Sequence, residues 1–249
     1  MSRWVEGEVV KWHQWTEDLY SLFIKAPVDP FVAGQFTQIG LGEEAKPLFR
    51  PYSFVNTTED EYLEFYFNHV KDGNLTPQLM DLKVGDAIWV SKKPTGRFTI
   101  ENLEPAKTLI CLATGTGLGV FLSLLKTAKP WEMFERVILV HSVPQAKFLT
   151  HHDVIQSFKE QHSDQFTFVP VVTREAHSEA YDKRVTELVA QEILEKDLGL
   201  SINKDDTQVM LCGNANMINE MRAILAQREM TMRLPKRGGQ VTIESYFKP

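Results

Sequence analysis

From Lys107 onward the chain repeats one pattern four times: a continuous apolar run, then a stretch with helical apolar spacing. The runs are KTLICLAT, RVILVHSV, FTFVPVVT and QVMLCGN; the stretches are GTGLGVFLSLLKTA, HHDVIQSFKEQ, RVTELVAQEILEKD and MINEMRAILAQR. A strand that is apolar on both faces must be covered on both faces, and parallel strands need a helix to return the chain between them. The pattern therefore predicts a parallel sheet sandwiched by helices. The first hundred residues read differently. EGEVVKW, YSLFIKAP, GQFTQIGL, RPYSFVNT, YLEFYFNHV and DAIWVSKKP are short β-branched and aromatic runs broken by Gly, Pro or Asp, with one expected helix in LTPQLMDL. That spacing predicts an antiparallel barrel. The expected fold is two domains, an antiparallel β-barrel over residues 1–100 followed by an α/β parallel-sheet domain over 101–249, with the boundary near residues 101–108.

Three short strings stand where chemistry would be placed. In Arg50-Pro51-Tyr52-Ser53, strand alternation puts Arg50 and Tyr52 on one face and Ser53 on the other. A cation, a flat ring and a hydroxyl are what an isoalloxazine with its diphosphate requires, although the string alone reads equally as an ordinary strand with one exposed Arg. Tyr66-Phe67-Asn68-His69 and Gly73-Asn74-Leu75-Thr76 follow, the latter opening the expected helix, whose free N–H groups suit a phosphate. Gly115-Thr116-Gly117-Leu118-Gly119 lies where a buried strand hands over to a helix. Its spacing is GxGxG rather than GxGxxG, and the next strand ends His141-Ser142, with no acidic residue for a ribose. Small side chains there let a pyrophosphate or ring approach, or simply let helix pack on strand. Arg174 and Arg184 follow the third apolar run and could grip the 2′-phosphate that separates NADP from NAD. Cys212, at the tip of QVML, is either a small buried hydrophobe or part of a nicotinamide pocket. The seven histidines show no metal spacing and read as structural or surface residues, so no metal site is expected. Taken in order, the strings describe a flavin site followed by a nicotinamide-dinucleotide site.

Composition narrows the alternatives. Two cysteines, Cys111 and Cys212, cannot build a disulfide framework or a four-thiolate cluster, so any iron–sulfur chemistry belongs to another protein. A net charge of −6 argues against nucleic-acid binding. No apolar run is long enough for a signal or a membrane span, so a cytoplasmic protein is expected. The charge is uneven: from Arg222 onward there are six basic residues against two acidic, leaving −10 on the rest. That tail is either a solvated helix face or a docking patch for an acidic partner.

The ordered set RPYS, GTGLG and CGN, with AGQFT, LEFY, LATGTG, MLCGN and the C-terminal Glu244-Ser245-Tyr246, resembles the ferredoxin–NADP⁺ reductase family in its bacterial branch, over essentially the whole chain. The resemblance implies FAD held by Arg50, Pro51, Tyr52, Ser53, residues Tyr66, Phe67, Asn68 and His69, residues Asn74, Leu75 and Thr76, and Thr116. Tyr52 would stack on the ring, Ser53 would sit near N5, Tyr246 would cover the other ring face and Phe247 would lie near the adenine. It implies NADP(H) held by Val143, Thr173, Arg174 and Arg184, a nicotinamide pocket lined by Cys212, and Ser53, Cys212, Glu244 and Tyr246 as the catalytic set. Hydride would pass from NADPH to the flavin, and single electrons on to ferredoxin or flavodoxin, with the protein a monomer. Two departures bear on this: Val143-Pro144-Gln145 lacks the basic residue found there in close relatives, implying one fewer phosphate contact, and Lys248-Pro249 follows the aromatic pair. The alternatives are a flavin reductase that releases its flavin, a non-enzymatic FAD-binding redox partner, which would need neither the paired arginines nor the CGN tip, and an iron–sulfur oxygenase reductase, which the cysteine count excludes within this chain.

Overall fold

A computed structural model describes residues 3–43 and 48–246. The chain forms two compact units, Met1–Thr99 with Leu122–Thr127, and Ile100–Phe121 with Ala128–Pro249.

In the first unit β1 (Trp4–Thr16), β2 (Leu19–Lys25), β3 (Phe36–Leu41), β4 (Leu48–Ser53), β5 (Leu63–Asn68) and β6 (Ala87–Ser91) form one antiparallel sheet in the order β4-β3-β6-β1-β2-β5. β1 is long because it serves two neighbours: Trp4–Glu8 pairs with β6 and Glu8–Thr16 with β2. Register shifts at Val9/Lys11 and Gln14/Thr16 bend it, which is how an antiparallel sheet curls toward closure. The curl brings the two edges, β4 and β5, together. The Tyr52 ring packs against Phe65 and Phe67, and just past β4 the Val55 N–H donates to the Glu64 carbonyl at 3.0 Å. Val9, Leu22, Ile24, Ile39, Phe54, Phe65, Ile88 and Val90 fill the interior, capped by Leu75 and Leu79 at α1 (Thr76–Met80).

The second unit is a parallel sheet in the order β11-β10-β7-β8-β9. Its elements are β7 (Thr108–Thr114), the start of α2 (Leu118–Leu125, counted with the first unit from Leu122 on), α3 (Lys129–Met133), β8 (Arg136–Val143), α4 (His152–Gln161), β9 (Phe166–Val172), α5 (Val185–Ala190), α6 (Ile193–Leu198), β10 (Thr207–Gly213), α7 (Ala215–Gln227) and β11 (Val241–Ser245). Ile110, Leu112, Ile138, Val140, Val169, Val171, Val209 and Leu211 share a core with α5, α6 and α7. The alternate residues Leu109, Cys111, Ala113, Val137 and Leu139 are buried as well, as strands covered on both faces require.

Two features depart from the sequence expectation. RVTELVAQEILEKD is two helices rather than one, broken at Glu192, whose φ of +55° ends the first turn of chain and redirects the second. The break lets Glu195 meet Arg228 at 2.7 Å in a largely buried ion pair, while the same guanidinium donates to the carbonyls of Val189 and Ile202. A fifth strand, β11, closes the sheet beyond the four expected. Among the described residues no helix is long and apolar enough to cross a membrane.

Candidate functional site

In the first unit, the expected flavin residues gather where the barrel's edges meet. Arg50 and Pro51 are exposed on β4, and a proline costs nothing on an edge strand that has no further partner to receive its N–H. Tyr52 is half-buried at the seam, 5.7 Å from the Phe67 ring. Burial pushes its phenol well above the ordinary range, and the Arg50 guanidinium works against that shift, as two residues on one strand face should. Ser53 ends the strand, opposite Phe36. On β5, Phe67 points into the core while Tyr66 points the other way, toward Trp15, so Phe67 can offer a ligand only its backbone. Asn68 is exposed, and the His69 N–H is taken by the Asp18 carbonyl at 2.7 Å.

The loop before α1 is tied to itself by Thr76. The Thr76 hydroxyl accepts from the Val70 N–H at 3.0 Å and donates to the Val70 carbonyl at 3.1 Å, and Leu75 is core. α1 is five residues long. Thr76 therefore shapes the loop rather than presenting a free hydroxyl, and Asn74 is its exposed member.

In the second unit the sequence strings all fall at the carboxyl ends of the parallel strands. The register sets Thr114 beside Ser142, Val143 beside Val172, Cys212 beside Ala113 and Glu244, and Gly213 beside Ser245. Ligands of open α/β sheets bind at this edge. GTGLG and CGN form one construction. A Cβ on Gly117 would lie 2.5 Å from the Cys212 carbonyl oxygen, and one on Gly213 would lie 2.2 Å from Thr114 Oγ1. That hydroxyl accepts from the Asn214 N–H at 2.7 Å, and the Asn214 side chain in turn caps α7 by accepting from Asn216 and Met217. Thr114, which the sequence analysis passed over, thus joins the two loops. Thr116 is buried within the turn of residues 115–117.

Cys212 is fully buried, and burial with the nearby Glu244 carboxylate drives its thiol well above its ordinary value. Its sulfur is hydrogen-bonded by the Tyr246 side chain, and the Tyr246 N–H reaches the Gly213 carbonyl at 3.5 Å. Cys212 is therefore a neutral packing group, not a thiolate nucleophile. Phe247, Lys248 and Lys46 lie outside the described residues.

The Val143 side chain is buried with Leu149 and Val172, so only its backbone faces outward chemistry, and its carbonyl already accepts from Thr173. β9 is extended by a parallel bridge between Val171 and Tyr181. Arg174 and Arg184 each stand three residues past that bridge, both exposed at the carboxyl edge. Among the described residues neither guanidinium has a carboxylate partner. Glu175, next to Arg174, is occupied with the Ala146 N–H at 2.6 Å.

The basic tail is smaller than its sequence suggests. Arg228 is spent on Glu195, and Arg233 lies 3.3 Å from Glu104. Residues distant in sequence neutralise these two, which leaves Arg222, Lys236 and Arg237 as the exposed cations of the described tail.

One buried histidine stands beside the glycine turn. His141 on β8 is fully buried, with Nε2 3.0 Å from the Gly115 carbonyl and Nδ1 without a partner. Burial lowers its pKa from 6.5 to about 4, and the neighbouring His151 and His152 push the same way. As pH falls through 6.5 the unfolded chain takes up a proton that the fold refuses. Stability should therefore decline between pH 6.5 and about 4, by about 3 kcal/mol, and this contribution should level off below that. Urea midpoints measured across the window should show the loss, and His141→Gln should flatten it.

The comparisons decide the family. Over 99% of this chain and 100% of the relative, it is 35% identical to a flavodoxin/ferredoxin–NADP reductase of Buchnera aphidicola subsp. Schizaphis graminum. The chain belongs to the flavodoxin/ferredoxin–NADP reductase family. The protein of that name from Escherichia coli strain K12 is 38% identical over 88% of this chain and 89% of its own. The family model for an oxidoreductase NAD-binding domain matches residues 111–223. Among solved structures, a ferredoxin NADP⁺ reductase from Neisseria gonorrhoeae with bound FAD and NADP superposes with a TM-score of 0.93 at 29% identity, over 99% of this chain and 100% of that one.

Proposed function

We propose that this reductase holds FAD on an antiparallel β-barrel domain, residues 1–100, and NADP(H) on an α/β domain, residues 101–249. It exchanges electrons between NADP(H) and one-electron carriers, ferredoxin or flavodoxin. The observation that carries the assignment of sites is the clustering of every second-unit motif at the carboxyl edge of one parallel sheet, beside two guanidiniums that have no carboxylate partner among the described residues. The residues fit the groups. Gly115 has open space where a Cβ would stand, at a φ of +53°, and Tyr52 offers a flat half-buried ring beside the exposed Arg50 cation. When bound, the flavin supplies the conversion between a hydride and single electrons. The chain's own work is orientation: Arg50 neutralises phosphate charge, Tyr52 sets the plane of the ring, and Arg174 and Arg184 select the 2′-phosphate. The purified protein should be yellow and should bleach faster with NADPH than with NADH; a colourless protein that takes up no FAD overturns this reading.

Ser53 is assigned to N5, where charge changes during reaction. Ser53→Ala should slow flavin reduction on the order of 100-fold in stopped flow while FAD affinity changes little. Reduction at the wild-type rate removes the assignment.

An acidic carrier would be repelled by this chain's net charge of −6, so its docking needs local positive charge. Lys236 and Arg237 lie with exposed Leu234 on a tight loop closed by the Leu234 N–H to the Gly238 carbonyl at 2.9 Å. Reversing both charges should lower carrier reduction about tenfold at low salt, with ferricyanide reduction unchanged, and rising salt should reproduce the loss. Carrier reduction indifferent to both places docking elsewhere.

A further inference from the structure

The Gly115 carbonyl is an acceptor only, so the His141 ring nitrogen 3.0 Å away must be the donor, and the imidazole is the neutral Nε2–H tautomer. The same carbonyl also accepts from the Leu118 N–H at the start of α2. Two donors therefore fix its direction, back toward β8 at the level of Ala113, the residue paired with His141. In a planar trans peptide the next N–H points opposite to the carbonyl. The Thr116 N–H accordingly points away from the buried ring and outward at the carboxyl end of the sheet, where the first N–H groups of a helical segment have no partner of their own.

We propose that His141 is a positioning residue that aims the Thr116 amide at an acceptor oxygen of a bound dinucleotide. This rests on the site reading above. FAD and NADP(H) both carry such oxygens on their diphosphates, and the experiment separates them. Gly115, at a φ of +53° with nothing within 4 Å of its missing Cβ, has no side chain to hold this peptide, so the Leu118 N–H and the His141 ring are what orient it. With the ring donor removed the peptide is held by one bond instead of two, and a less firmly aimed amide holds an acceptor less well. His141 cannot serve as an acid here: its Nδ1 is buried without a partner, and the titratable groups facing it, His151 and His152 at the start of α4, offer no carboxylate to hold a second proton.

The test uses the intact FAD-loaded enzyme. His141→Leu keeps the bulk and removes the donor; His141→Gln restores an N–H donor at a similar reach. The leucine variant should lose about tenfold in affinity for the dinucleotide whose oxygen meets Thr116. The loss will appear in FAD dissociation if that ligand is FAD, or in the NADP⁺ and NADPH dissociation constants, with NADH affected alike, if it is NADP(H). The glutamine variant should recover to within about threefold of wild type. A merely structural role would lower the melting temperature of the leucine variant without this selective, rescuable loss. Unchanged affinity for both dinucleotides in a folded His141→Leu enzyme overturns the proposal. Should that variant not fold, the ring tautomer in ¹⁵N-histidine spectra of the wild type decides: a proton on Nε2 supports the proposal and a proton on Nδ1 overturns it. Failure of the wild type itself to bind either dinucleotide would instead overturn the site reading.

Discussion

Replacing Arg174 and Arg184 together by Ala should raise the KM for NADPH on the order of 100-fold and leave the KM for NADH within about twofold. A charge-assisted contact to phosphate contributes about 1.5–3 kcal/mol, and both side chains are exposed, which places them at the lower end. Two contacts of about 1.5 kcal/mol give about 3 kcal/mol, or somewhat over 100-fold. One other exposed cation, Lys147, stands on the described loop, its ammonium 5.1 Å from the Phe148 ring centroid. Val143-Pro144-Gln145 has no cation, and its backbone is bound to the facing segment through the Arg174 N–H on the Pro144 carbonyl and Glu175 on the Ala146 N–H. Each single variant should lose on the order of tenfold, and because both guanidiniums meet the same phosphate a double-mutant cycle should show them coupled. Arg174→Lys should recover less than the charge alone suggests, since an ammonium cannot reproduce the two-pronged contact. Steady-state kinetics with both nucleotides check this; equal losses for NADPH and NADH would show that the arginines serve something common to both, such as the diphosphate.

Much of this is legible in the sequence. Continuous apolar runs such as KTLICLAT carry their own requirement to be covered on both faces, so the parallel sheet could be read from them. The six short runs of the first hundred residues became the six barrel strands for the same reason: local patterning and tertiary placement agree. What escaped the sequence depends on contacts distant along the chain. β11, VTIES, is short and alternates polar with apolar residues, so only its pairing with β10 makes it a strand. The break at Glu192 is explained by the meeting of Glu195 with Arg228, 33 residues away. The same pairing, with that of Arg233 and Glu104, shrinks a basic tail that looked continuous in one dimension. At the site, RPYS, GTGLG and CGN could be picked out by residue type. His141 and Thr114 could not, because a histidine or threonine at the end of a buried strand carries no signal until the opposite loop is known. Thr76 adds a contact that its sequence position does not announce: its hydroxyl is shared with both backbone groups of Val70.

Gly213→Ala should cost more than about 4 kcal/mol of stability, a loss reserved for changes the backbone cannot absorb. Gly213 sits at a φ of +126°, which side chains other than glycine's scarcely adopt. Its added Cβ would also stand 2.2 Å from Thr114 Oγ1 and 2.6 Å from the Thr114 carbonyl oxygen. The first contact belongs to a side chain and could be deleted, but the second belongs to the central strand of the sheet, paired with β8 and β10 on its two sides, and cannot retreat. Thr114→Ala should therefore fail to rescue Gly213→Ala. On its own Thr114→Ala should cost about 1–2 kcal/mol, by stripping the acceptor from the Asn214 N–H. The loss in Gly213→Ala should fall on function as well as on stability. Pushing the β10 tip off β7 moves Cys212 and the cap of α7 away from the GTG turn, so whatever protein remains folded should bind NADP⁺ far more weakly while retaining FAD on the barrel. Urea unfolding of the single and double variants, with NADP⁺ titration of the folded fraction, tests both halves. Recovery of stability in the double variant would mean that the clash lies with the hydroxyl alone, and that the two loops are joined less tightly than the 2.6 Å approach of the backbone oxygen requires.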